Sequence, residues 1–357
     1  MGEIELNFLK ELYLTILVAL MLMFVVGFNV YVNKFKRCQF IKYTLTYTLA
    51  FFIALMFGFR DVEVGVDTKT YKYLYEYVFS PMSNFEFRKD ILWDSINFLF
   101  SRFTDDITYL FVLVSFGYLF LPLFGVQKVL KENVIYFFLF FLISPNFFLY
   151  GANGIRNGLA ASLFIFSFKY FKNYKQFLLL IISALIHASM IIPATFLLLS
   201  KYIKNIKIVY FVWVVLLILS ALGVDFLRMV PLGLDRLGNY VEGSNELETS
   251  KIFNVPVNFL VYSISPIVIS FYFIVIKKVY DEFFYSISIT YLLSSCIYIA
   301  AFHANFAVRF AYLSEFLMPL VIIYPLFRFK SIKYVEIYTS LFLLVVFLIK
   351  SYKILSV

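Results

Sequence analysis

Along this chain, long apolar runs alternate with short polar connectors. Runs at 11–32, 43–59, 108–126, 134–150, 155–171, 208–224, 252–276, 283–303, 309–327 and 334–349 carry almost no charge. Each approaches the about 20 residues that take a helix across the hydrocarbon core. A further apolar stretch, "FLLLIISALIHASMIIPATFLLLS" at 177–200, is interrupted by His187 and Pro193. The pattern predicts an all-α polytopic integral membrane protein with about 10 full spans plus a broken or re-entrant helix hairpin. No soluble domain stands apart, so residues 1–357 read as a single transmembrane domain.

The polar connectors orient the spans. "NKFKRCQFIK", "QKVLKEN", "KYFKNYKQ", "KYIKNIK", "KKVYDE" and "RFKSIK" hold more than half of the 31 Lys and Arg. If 177–200 crosses once, "KYIKNIK" and every later connector contradict the rule that short cytoplasmic loops are basic. If the chain turns between His187 and Pro193 and returns, all six connectors share the cytoplasmic side. That parity places both termini outside, with two long external loops, 60–107 and 225–251, which carry most of the 22 acidic residues. Within the first loop, "WDSINFLFSRF" (93–103) has Trp93, Ile96, Leu99, Phe100 and Phe103 at helical spacing. It predicts an amphipathic helix, lying on the bilayer surface or packing the loop onto the spans.

Composition then excludes other classes. The chain is 62% hydrophobic, 22% aromatic and 15% charged, which rules out an ordinary soluble domain. Its net charge of +9 is spread over the connectors, so it fits anionic lipid headgroups and not nucleic acid. Cys38 in a basic connector and Cys296 in a span are not placed to form a disulfide or a thiolate metal site.

Ionisable groups at membrane depth are costly and therefore mark function. Arg60 closes the second span, in "GFRDVEVGVDTKTYKYLYEYV" (58–78). Arg156 lies in "YGANGIRNGLAAS", where Gly151, Gly154 and Gly158 would let backbone approach a ligand. His187 sits at the predicted hairpin turn, and His303 and Arg309 flank "FHANFAVRF". Guanidinium groups gathered at a cavity rim suit an anion such as phosphate, with its bidentate oxygens. Asp67 reads as a base, a metal ligand or a helix N-cap.

Several of these segments resemble one family. "FRDVEVGVDTKTY" is similar to the Arg-x-x-x-x-Gly-x-Asp-x-x-x-Tyr signature of the EpsG-like branch of Wzy-type polysaccharide polymerases, on Arg60, Gly65, Asp67 and Tyr71. "GIRNGLA" resembles that family's Ile-Arg segment and places its arginine at Arg156, with Asn157 where a glutamine is often seen. "LIHASMII" resembles its Ile-His segment at His187, and "RFAYLSEFLMPL" its late Arg…Pro span at Arg309 and Pro319.

The resemblance implies a bacterial inner-membrane enzyme with GT-C-like polymerase and ligase architecture and its active site on the external face. Its substrate would be an undecaprenyl-pyrophosphate-linked oligosaccharide, as for O-antigen, capsule or exopolysaccharide. A growing glycan would pass from the lipid pyrophosphate to a hydroxyl of the next unit, without cofactor or metal, with membrane lipids and a chain-length regulator as partners. Arg156 would stabilise the departing pyrophosphate, with Arg60 and Arg309 as further anion binders. His187, or else Asp67, would take the acceptor proton. Tyr71 and Asn157 complete the substrate-binding set; His303, which matches none of the family's segments, joins it only as an ionisable group at a span end. Two alternatives stand beside this: a metal-dependent polyprenyl-phosphate-sugar glycosyltransferase using Asp61, Glu63 and Asp67, and a flippase for lipid-linked oligosaccharide.

Overall fold

In hydrocarbon every backbone N–H and C=O must be paired within its own segment, so apolar runs of this length fold as helices. The computed structural model describes residues 3–33, 38–79, 90–226, 251–252, 255–256, 259–304, 307–329 and 334–355. Among them helices dominate, and the β-structure is one antiparallel pair, Lys251–Ile252 with Val255–Pro256. The protein is an integral membrane protein of all-α class. Among the described residues, four helical stretches have the length and composition to cross a membrane: Gln39–Gly58, Thr108–Ile143, Glu282–Ala300 and Arg309–Arg328. Shorter apolar helices include Ile91–Phe100, Tyr174–Ile186, Ala188–Leu199 and Ile206–Ala221. The run read as one span over 252–276 opens on the β-pair, where Pro256 lacks an N–H, and its α-helix begins at Ser265. Most of the loop 225–251 lies outside the described residues.

The chain forms two units, residues 1–190 with 326–357 and residues 191–325. The first holds α1 (Glu3–Asn33), α2 (Cys38–Gly58), α3 (Thr68–Tyr73), α4 (Ile91–Phe100), α5 (Thr108–Leu130), α6 (Val134–Ile143), α7 (Ile155–Phe166), α8 (Tyr174–Ile186) and the C-terminal helix Val335–Leu355.

Specific contacts fix how these helices run. Gly58 at the end of α2 packs on Val112 near the start of α5, while Tyr47, midway along α2, donates to Gln127 near the end of α5 (3.1 Å). The two are antiparallel. In contrast, α5 and α7 run parallel: the Ser162 hydroxyl donates to the Tyr118 carbonyl (2.8 Å), and Gly125 packs on Ile165. Ser183 of α8 donates to the Ala160 carbonyl of α7 (2.7 Å). At one end of the unit Lys42 pairs with Glu336 (3.1 Å) and lies over the Tyr136 ring (5.4 Å), beside the basic connectors. Phe8 near the start of α1 packs on Phe57 and Phe148 at the opposite end. The C-terminal helix starts at the basic end and reaches Tyr13 of α1 through Phe347. Lys131 and Lys172, with φ of 52° and 67°, are turns in those connectors. The first unit therefore has a basic end and an opposite end rich in acids.

The second unit begins with α9 (Ile191–Leu199) and α10 (Ile206–Ala221). Its helix Glu282–Ala300 runs parallel to α10. Tyr285 joins Lys204 and Ile206 at one end, Trp213 donates to Ser295 (3.1 Å) midway, and Ser220 donates to the Ile299 carbonyl (3.2 Å) at the other. The connectors 201–207 and 277–282 thus share one end of this unit, as the reading of six same-sided connectors requires of that pair.

Helix α4 confirms a helix in "WDSINFLFSRF", but with an unusual face. Trp93, Asp94 and Asn97 are buried while Leu99 and Phe103 are exposed. The helix packs against α8, and its buried stripe mixes the Trp93 ring with Asp94 and Asn97, whose amide donates to the Trp93 carbonyl (2.8 Å).

Candidate active site

The stretch 177–200 is helical on both sides of His187, as its interrupted pattern predicts. At His187 the backbone is extended (φ −148°, ψ 113°), and the 3₁₀ turn Ala188–Met190 follows. That break frees the Ala188 N–H from helical pairing, and a buried carboxylate takes it: Asp90 Oδ1 accepts from Ala188 N at 3.1 Å. The other oxygen, Oδ2, accepts from Arg156 Nη1 at 2.9 Å and lies 3.4 Å from His187 Nδ1. Three distant segments meet on one carboxylate: the start of α4, the first turn of α7 and the break after α8. Burial alone would raise the Asp90 carboxyl, but bonds from the His187 ring and Ala188 N–H, with the Arg156 charge, outweigh it and hold it below the usual carboxylate range.

Around this cluster the first loop supplies a prop. The Tyr71 ring is buried in an edge contact with Trp93 (5.8 Å), and the Arg156 guanidinium lies 5.7 Å from its centroid. Burial raises the Tyr71 hydroxyl, while the Arg156 charge beside it acts in the opposite direction. Tyr71, expected in the substrate-binding set, is a buried ring packed between Trp93 and Arg156. Asp67, exposed, bears electrostatically on both Tyr71 and Arg156, and its own N–H donates to Asn153 Oδ1 (2.6 Å). It holds the N-cap position of α3, but its carboxylate makes no capping bond.

Arg60 has a different surrounding from the anion pocket expected of it. Buried, it donates through Nη1 to the Phe57 carbonyl (2.5 Å) and through Nη2 to the Ala152 carbonyl (3.0 Å), and it stacks on Phe111 (4.3 Å). Those carbonyls belong to the end of α2 and to the π-helical turn Leu149–Asn153, where the helical ladder leaves acceptors without partners. Burial lowers the guanidinium to about 10, so it stays charged at neutral pH. Thr68 donates to the same Ala152 carbonyl (3.1 Å). Arg60 and Thr68 together dock the first loop onto the turn that presents Arg156.

The glycines of "YGANGIRNG" serve packing more than ligand approach. A Cβ on Gly151 would meet the Phe57 ring at 2.6 Å, and one on Gly158 would meet the Tyr150 carbonyl at 2.5 Å. Three buried polar atoms near the cluster have no partner among the described residues: Arg156 Nε, Asn157 Oδ1 and Ser189 Oγ. Orphaned groups of this kind cost about 1–3 kcal/mol each, and they are the atoms a polar ligand would satisfy.

His303 and Arg309 belong to the second unit. His303 Nε2 lies 3.0 Å from the Ser220 carbonyl, at the end away from that unit's basic connectors. Arg309 is exposed on the first turn of the helix Val308–Glu315. Among the first-loop acids, Glu63 pairs with Lys69 (2.6 Å) and Asp61 accepts from the Glu63 N–H (2.8 Å). Among the described residues no three His, Cys, Asp or Glu side chains assemble as metal ligands.

Asp90 is the residue that sequence reasoning missed. In "RKDILWDS" it precedes an apolar helical run and looks like an ordinary N-cap. Nothing in that local pattern signals a carboxylate turned toward partners 66 and 97 positions away.

A bundle of apolar helices, with a carboxylate, a guanidinium and an imidazole joined at the end opposite its basic connectors, defines a polytopic membrane protein with a one-sided polar site. The chain belongs to the EpsG family, which it matches over residues 43–357. Membership points to a polysaccharide polymerase of the glycosyltransferase-like kind. No curated protein and no solved structure matches the chain.

Proposed function

We propose that this protein is a repeat-unit polymerase that transfers a growing glycan from undecaprenyl pyrophosphate to a hydroxyl of an incoming lipid-linked unit. The reaction takes place on the outer face of the bacterial cytoplasmic membrane, because the site lies opposite the basic connectors and those face the cytoplasm. One observation carries the reading: Asp90 Oδ2 brings a permanent cation and an imidazole together at that end.

Arg156 is well suited to the donor. Its side chain is 38% exposed despite the pairing with Asp90, and its Nε is unpaired, so it retains donors for a diphosphate. As the glycosyl C1–oxygen bond breaks, the electron pair leaves with the pyrophosphate, and the guanidinium stabilises the charge that builds there. The acceptor oxygen bonds to C1, and its proton passes to the ring nitrogen of His187 that faces away from Asp90. The leaving group is already good, so no covalent enzyme intermediate is needed. Asn157 Oδ1 can accept from a sugar hydroxyl, and the Ser189 hydroxyl can donate to a sugar or phosphate oxygen.

The test is direct. Purified protein in detergent, given a lipid-linked repeat unit, is expected to build a laddered polymer that persists in the presence of a chelator. His187→Gln should slow it by about 10²- to 10⁴-fold, the usual contribution of a positioned base. Loss of the wild-type ladder on chelation would overturn the metal-free mechanism.

A further inference from the structure

We propose that Asp90 is the positioning residue of this site, holding His187 in the tautomer with the proton on Nδ1 so that Nε2 is the proton acceptor. The inference deepens the polymerase reading and, in its catalytic consequence, rests on it.

The geometry comes first. A carboxylate only accepts hydrogen bonds, so the ring nitrogen facing it must carry the proton. Asp90 Oδ2 faces Nδ1 of His187, which leaves the lone pair on Nε2. Two further bonds keep the carboxylate in place. Oδ1 is tied to the Ala188 N–H, the next residue along from His187, so the acid holds the backbone of the break as well as its ring. Arg156 Nη1 bonds the same Oδ2, which sets guanidinium and imidazole within hydrogen-bond reach of a single atom. Tyr71, itself pinned by Trp93, backs the guanidinium.

Burial makes this arrangement specific. The Asp90 side chain is 7% exposed, whereas His187 is 27% and Arg156 38% exposed. The acid is therefore closed off while its two partners remain open to a substrate. Direct contact with a reacting group falls to His187 and Arg156, and Asp90 acts through them. The same division holds in hydrolases, where an acid fixes the ring of a catalytic histidine.

The test exploits a property of the sequence: the chain holds two histidines, His187 and His303. Full-length protein labelled with ¹⁵N-histidine and held in detergent near neutral pH gives two imidazole spin systems. His303→Gln removes one and assigns the other to His187. The wild-type His187 is expected to show a protonated Nδ1 and an unprotonated Nε2. In Asp90→Asn the population should move to the Nε2–H form favoured by an unconstrained imidazole, and Asp90→Glu should restore it in part. A wild-type spectrum with Nε2 protonated would overturn the proposal, and that measurement needs no variant at Asp90 to fold. So would an unchanged tautomer in a folded Asp90→Asn.

Catalysis supplies a separate arm. Asp90→Asn should lower kcat by about 10²-fold or more, with KM for the lipid-linked unit moving only a few-fold, since the loss lies in the proton-transfer step. Unchanged kcat in that variant would overturn the positioning role. If Nδ1 is protonated but no wild-type polymer forms, the positioning stands and the polymerase reading fails.

Discussion

Two arginines that look alike in the sequence have opposite characters in the structure. Arg60 and Arg156 both follow an apolar run, and both sit in segments with glycines nearby. Arg60 is buried, its two terminal nitrogens bonded to carbonyls, while Arg156 is partly open and paired to a carboxylate. Arg60→Lys should therefore act on stability: one ammonium cannot serve two carbonyls set for a planar fork. The expected loss is on the order of 2–4 kcal/mol, read as a drop of several degrees in detergent Tm, with activity falling in step with folded protein. A stable, inactive Arg60→Lys would contradict that role. Asp90 has a pH signature. Its folded pKa is depressed, so its stabilisation is complete above the unfolded value of about 3.9 and vanishes as pH falls through the lower folded value. The Tm gap between wild type and Asp90→Asn should be open at about pH 6 and narrow as pH falls below the unfolded value of about 3.9.

At the scale of elements, the sequence reveals what hydrophobic pattern controls and hides what long-range pairing controls. Helix existence is legible for most spans, and so is the break at His187, because apolar runs and their interruptions are local facts. The face of α4 was not legible. Hydrophobic spacing alone would leave Asp94 and Asn97 outward, but both are buried beside Trp93 while Leu99 is exposed. A helix between protein and lipid can invert its polarity, since lipid accepts apolar side chains as readily as a core does. The purpose of the glycines was likewise hidden, because Gly151 and Gly158 answer to the Phe57 ring and the Tyr150 carbonyl. Gly158→Ala is expected to push α7 from that carbonyl, destabilising by about 1–3 kcal/mol as overpacking does. It should also weaken polymerisation, since Arg156 rides on the same turn. Equal Tm for Gly158→Ala and wild type would show that the contact yields freely.

For the molecule as a whole, charge asymmetry along the chain matches asymmetry in space. In the first unit Lys42 and the turns at Lys131 and Lys172 lie at one end and the Asp90 cluster at the other, so the two ends of that unit are chemically distinct. In a background with Cys38 and Cys296 replaced by Ser, a membrane-impermeant thiol reagent added to intact cells should label Glu63→Cys and leave Lys175→Cys unlabelled. Candidate substrate groups were legible in the sequence at Arg156 and His187 because ionisable groups in apolar surroundings stand out. Asp90 was not, because an acid in a polar loop is unexceptional until the fold buries it. The most direct measurement of the central claim compares Arg156→Ala with wild type in the reconstituted ladder assay at matched amounts of folded protein. Arg156→Ala is expected to give no polymer at that matched amount of folded protein. A wild-type ladder from that variant would contradict it.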